Sequence, residues 1–122
     1  MPLIDFAKLV KSFRYAGRGF WYTIKNEQNI RLHLLISLVV IILMVYFEVA
    51  LWQVVTLLMV MMFVLVLELI NTIFEKVSDI LRPRIHMYVE VIKDVMAAAV
   101  LVASIGAVVI GILIFIPYFV SG

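Results

Sequence analysis

Glu68, Asn71 and Glu75 stand three and then four residues apart in the stretch Glu68-Leu69-Ile70-Asn71-Thr72-Ile73-Phe74-Glu75, and Asp79 follows four residues later. On a helix this spacing stacks the carboxylates and the amide on one face. The residues just upstream, Val54 to Leu67, contain a single hydroxyl, that of Thr56. An ionisable group in or beside such a segment costs about 2.5–3.5 kcal/mol at the bilayer centre, which makes it a functional candidate by default. The set offers a carboxylate base for a hydroxyl proton and oxygen ligands for a hard cation. The simpler alternative is a Glu68 at the boundary with water that merely snorkels.

The elements that position these groups follow from composition. The chain has 122 residues, of which 66% are hydrophobic and 15% charged, with a mean hydropathy of +1.21. That is too apolar for a soluble domain and indicates an integral membrane protein. With no cysteine, disulfides, thiolate catalysis and zinc–thiolate sites are excluded. Asp5 and Lys8 interrupt the first ten residues, so no cleavable signal peptide is expected there.

Three apolar segments are long enough to be spans: about Leu32 to Phe47, Ala50 to Val77 and Val95 to Phe119. Lys8, Lys11, Arg14, Arg18, Lys25 and Arg31 precede the first, and Lys76, Arg82, Arg84 and Lys93 lie between the second and third, whereas Phe47 to Gln53 has no Lys or Arg. The bias predicts a cytoplasmic N-terminus, a cytoplasmic second loop and a C-terminus outside. Residues 1–31 read as a surface segment and residues 32–122 as the three-helix unit. In the former, Phe6, Leu9, Val10, Phe13, Phe20, Trp21 and Ile24 recur near helical spacing among basic residues, the pattern of an amphipathic helix on an anionic surface. Gly17 and Gly19 are expected to break or bend it. Glu27 stands next to the first span, placed to fold back toward Glu75.

In the third span Ala99, Ala103, Ala107 and Gly111 recur every four residues, a small-residue face suited to close helix packing within or between subunits. Just before it, Lys93 and Asp94 complete a charge-balanced cluster with the glutamates, suited to a polyphosphate and its metal. There is no G-x-x-x-x-G-K-[ST] loop, and Gly17-Arg18-Gly19 is too meagre for a phosphate cradle.

The order of these parts resembles the small prokaryotic diacylglycerol kinase and undecaprenol kinase family. Four motifs carry the resemblance over nearly the whole chain: Phe13, Tyr15 and Ala16; Glu27, Asn29, Arg31 and His33; Glu68, Asn71, Thr72 and Glu75; and Lys93, Asp94 and Ala97 to Leu101. It implies an all-α membrane protein, an N-terminal amphipathic surface helix plus three transmembrane helices, assembled as a homotrimer with shared active sites in the cell membrane. It further implies transfer of the γ-phosphate of ATP to the hydroxyl of a membrane lipid. On that resemblance Glu68 is the general base, Glu27 and Glu75 hold Mg²⁺, and Asn71 orients Glu68 or the phosphate. Lys93 neutralises phosphate charge, Tyr15, His86 and Asp94 line the nucleotide site, and Ala97 joins Glu68 at the lipid. The chain departs from the family pattern at Ile73, Phe74, Glu90 and Ile92.

The basic, aromatic N-terminal segment and the Phe115 to Phe119 end of span three look more like the Gram-positive undecaprenol kinase branch than the diacylglycerol branch. Undecaprenol is therefore the expected acceptor and diacylglycerol the alternative. A proton-relay or transporter subunit would need polar residues through several spans, and spans one and three are nearly free of them. A purely structural subunit leaves Glu68, Asn71 and Glu75 unexplained. Nucleic acid is not an expected partner, since the basic residues track the membrane topology.

Overall fold

The structure, a computed structural model, describes residues 3–81 and 86–121. Four helices follow in order: α1 Phe6–Asn26, α2 Gln28–Phe47, α3 Leu51–Leu81 and α4 His86–Ser121. The last three are each long and apolar enough to cross a membrane. Each begins or ends a few residues beyond the apolar run itself, because a helix continues into the interface until its backbone groups find other partners.

α1 is capped by Asp5, whose Oδ1 accepts from the Ala7 and Lys8 amides at 3.0 and 3.2 Å. This satisfies two of the free donors of the first turn. No break occurs at Gly17 or Gly19: α1 runs as one continuous helix through both. A lone glycine costs a helix only about 1 kcal/mol, which its neighbours offset. A single extended residue, Glu27 (φ −116°, ψ 117°), separates α1 from α2. One candidate site residue thus forms the whole joint between surface helix and first span.

α3 is the hub. α4 packs along it most extensively and α2 less so. At 31 residues α3 is about 46 Å long, more than the ~30 Å of hydrocarbon in a bilayer. Its ends therefore reach the interfaces. Leu35, Ile42, Met62 and Leu101 are among many large apolar side chains left more than half exposed. In water such a surface would aggregate; in lipid it is solvated, and the helices are held by packing and hydrogen bonds.

Away from α1 the bundle is closed. Met44, Leu57, Ile114 and Phe115 form a buried cluster from all three spans. Phe47 stacks over it, with ring centres 6.4, 5.7 and 4.9 Å from Phe115, Tyr118 and Phe119. Gln53 Oε1 accepts from the Ala50 amide at 3.0 Å and from the Tyr118 hydroxyl, latching the α2–α3 turn to α4. At the α1 end every helix contributes a buried residue: Thr23, Ile30, Thr72, Ser78 and Val89.

Candidate active site

Between these two ends a cleft of about 990 Å³ opens, with α2 and α4 as its walls and α3 between them. Its charged part is built from α3 and α4. Glu68, Asn71 and Glu75 line it from α3, and Lys93, Asp94 and Ala97 from α4. The i, i+3, i+7 spacing on α3 presents the first three to the same side, and Lys93, Asp94 and Ala97 fall within one turn of α4. Six of the residues singled out in the sequence are thereby brought into one cavity.

Glu68 is 7% exposed and lines the cleft, so what exposure it keeps is toward that space. Glu75 and Glu27 are the charges that bear on it. Thr72 takes no part in the cavity: its hydroxyl donates to the Glu68 carbonyl at 3.1 Å, which keeps a buried polar group satisfied inside the helix. Lys93 Nζ stands 3.9 Å from Asp79 Oδ1, tying the start of α4 to the end of α3.

Of the other residues given a role in the sequence, Glu27 and Tyr15 are not among those that line the cleft. Glu27 is at the α1–α2 joint, within electrostatic reach of Glu68. Tyr15 projects from the exposed part of α1, with the Arg18 guanidinium 5.6 Å from its ring centre. The side chain of His86 is outside the described residues. Ile73, Phe74 and Ile92, three of the departures from the family pattern, are exposed and do not line the cleft.

Among the described residues no three His, Cys, Asp or Glu side chains converge into a metal cage. Mg²⁺ does not need one: it is commonly held by one or two carboxylates together with substrate phosphates. Glu75 in the cleft and Glu27 at the α1–α2 joint are hard oxygen donors of the kind that mode uses.

Three features escaped the sequence reading. His33 Nε2 is 2.9 Å from the Met61 carbonyl oxygen, and its ring lines the cleft. Lys76 holds its ammonium 5.8 Å from the centre of the Tyr22 ring, fastening α1 to α3 near Glu27. Ser104 also lines the cleft. Because Asp79 pairs with Lys93 and Leu57 clusters with Ile114, Glu68, midway between Leu57 and Asp79, is level with Ser104. A histidine at the head of an apolar run was the available signal for the first; the others depend on helix register.

The sequence model of the prokaryotic diacylglycerol kinases matches residues 14–115. The chain belongs to the prokaryotic diacylglycerol kinase family. Among its relatives, the undecaprenol kinase of Bacillus subtilis (strain 168) is 36% identical over 112 residues, 90% of this chain and 89% of the relative. The diacylglycerol kinase of Synechocystis sp. is 33% identical over 114 residues, 93% of this chain and 65% of that longer protein. As a member of this family the protein is a membrane lipid kinase that uses ATP. The cleft carries charged groups at one end and an apolar remainder.

Proposed function

We propose that this lipid kinase transfers the γ-phosphate of ATP to the hydroxyl of undecaprenol, giving undecaprenyl phosphate. The observation that carries this reading is the single cleft in which a Glu68 buried to nine-tenths joins a charged end to a long apolar one. The Bacillus relative, matched over nearly its whole length, supports the choice of acceptor. The Synechocystis relative and the family description favour diacylglycerol as the second reading.

In this mechanism the Glu68 carboxylate accepts the proton of the lipid hydroxyl as that oxygen bonds to the γ-phosphorus. The bond from the γ-phosphorus to the β–γ bridging oxygen breaks, and ADP departs. Asn71, one turn along α3, orients Glu68 or the transferring group. Lys93 neutralises phosphate charge, while Asp94, Tyr15 and His86 bind the nucleotide and Ala97 leaves room for the lipid head. Glu27 and Glu75 would hold Mg²⁺, which would supply charge neutralisation on the phosphates. Phosphoryl transfer asks chiefly for such positioning and neutralisation, so a small constellation suffices. Residues 1–31 serve as the surface segment and residues 32–122 as the catalytic unit. The α1 end faces the cytoplasm, where ATP is, and the C-terminus faces outside. Three spans enclose little on their own, and a homotrimer with sites shared between subunits completes the enclosure.

The test is transfer of labelled γ-phosphate from ATP with Mg²⁺, by purified protein in mixed micelles offered undecaprenol and diacylglycerol separately. Label on undecaprenol, lost in Glu68→Gln, is the expected result. Label on diacylglycerol alone would replace the acceptor, and label on neither would overturn the reading.

A further inference from the structure

Lys76 follows Glu75 directly on α3, yet it is not among the residues that line the cleft. Its ammonium reaches α1 instead, 5.8 Å from the centre of the Tyr22 ring. Tyr22, Glu27 and Asp79 are the neighbouring groups that act on this ammonium. One cation thus stands among the end of α1, the α1–α2 joint and the end of α3. Neither Lys76 nor Tyr22 belongs to the four motifs of the family resemblance.

Where the Glu27 carboxylate sits depends on where α1 sits. Glu27 donates its backbone N–H to the Thr23 carbonyl at 2.8 Å, and its own carbonyl accepts from the Arg31 amide at 3.4 Å. The residue is therefore bonded to both helices and moves with them. Asn26 Nδ2 donates to the Tyr22 carbonyl at 2.8 Å, which ties Tyr22 into the same turn. Within the chain α1 buries one of its 21 residues, Thr23, a small side chain with little packing to offer. Glu27 and Glu75 also carry the same charge, and their repulsion favours lifting the joint away from α3. An ammonium beside Glu27 offsets that repulsion, and its seat on an aromatic ring ties it to α1.

We propose that Lys76 and Tyr22 are positioning residues: their contact holds the end of α1 against α3 and so sets the place of the Glu27 carboxylate relative to Glu75. This rests on the reading of those two carboxylates as the ligands of Mg²⁺ on the nucleotide, and adds what keeps them together. Phosphoryl transfer depends chiefly on such placement, so a joint free to swing would weaken it from a distance. The effect belongs to the nucleotide and its metal and leaves the lipid acceptor alone.

The test compares Lys76→Met and Tyr22→Leu with Lys76→Arg and Tyr22→Phe, which keep a cation and a ring face, in the full chain in mixed micelles. Lys76→Met and Tyr22→Leu should each raise the KM for ATP and the Mg²⁺ concentration for half-maximal rate by about tenfold, the scale of a lost, partly desolvated cation–ring contact. The KM for the lipid alcohol should stay within about twofold, and the conservative variants within about threefold of the natural protein. The double variant should be no worse than either single one, because both remove the same contact. Amide hydrogen exchange without nucleotide or metal reads the clasp apart from turnover: in Lys76→Met residues 20–26 should exchange about fivefold faster or more, with the Met44 end of α2 unchanged. Tyr22→Leu, on the surface helix, carries the same comparison if Lys76→Met fails to insert. Natural exchange rates over residues 20–26, or additive losses in the double variant, would overturn the clasp. Glu27→Gln separates the two readings. If it is impaired in ATP and Mg²⁺ dependence while Lys76→Met and Tyr22→Leu are not, the clasp alone falls; if it is unimpaired, the ligand role of Glu27 falls and the positioning role with it.

Discussion

His33 Nε2 and the carbonyl oxygen of Met61, 28 residues apart in the chain, are 2.9 Å apart in the fold. A carbonyl only accepts, so Nε2 carries the proton and the bond joins α2 to α3 across one side of the cleft. Met61 is two turns from Glu68 on the same face of α3. His33→Leu should lower stability by about 0.6–1.7 kcal/mol, the range for hydrogen bonds between membrane helices. His33→Gln, which places an amide donor at similar reach, should recover most of it. Unfolding in mixed micelles measures both, and equal losses in the two variants would show that the bond contributes nothing.

Glu68→Gln keeps the size and burial of the side chain and removes its capacity to take a proton. Loss of a positioned general base typically costs 10²–10⁴-fold. We expect turnover to fall by about that factor, with helix content and assembly unchanged by circular dichroism and size-exclusion chromatography. A variant retaining more than about a tenth of the rate would remove Glu68 from the base role.

The three spans, the surface helix and the stacking of Glu68, Asn71 and Glu75 were legible in the sequence, because each depends on local periodicity. A lone break at Glu27 was not, since nothing in Asn26-Glu27-Gln28 distinguishes a joint from a continuing helix. The glycines misled for the converse reason: Gly17 and Gly19 lower helix propensity, yet propensity is weak beside the rest of a 21-residue helix. Ser104 was out of reach as well, because its level with Glu68 is a matter of register between two antiparallel helices.

Lys93 and Asp79 form an ion pair of 3.9 Å in which Asp79 is more than half exposed. Such a pair contributes little to stability, about 0–1 kcal/mol. Asp79→Asn should therefore fold normally and leave Lys93 free for phosphate. Lys93→Met removes the positive charge from the cleft. We expect a rise of about tenfold or more in KM for ATP in Lys93→Met and a change of less than about threefold in Asp79→Asn. Steady-state kinetics with varied ATP separates the two, and matching losses would mean that the pair itself, not the lysine charge, is what the site needs.

Glu48 offers a test of stability kept apart from the chemistry. It ends α2 in the left-handed region, at φ 49° and ψ 52°, and is the one residue other than glycine with positive φ among those described. The turn uses this conformation to place the Glu48 amide 3.3 Å from the Val45 carbonyl and the Val49 amide 3.3 Å from that of Met44. These bonds satisfy carbonyls that the end of a helix leaves free. A side chain in this region crowds the following carbonyl at a cost of roughly 1–2 kcal/mol, and glycine avoids that contact. Glu48 is exposed and sits at the end of the bundle opposite Glu68, so its carboxylate contributes nothing to the cleft. Glu48→Gly should raise the thermal unfolding midpoint in micelles by an amount equivalent to about 1 kcal/mol, with kcat and KM unchanged. A lower midpoint would show that the turn is held by the Glu48 side chain and not by the backbone bonds.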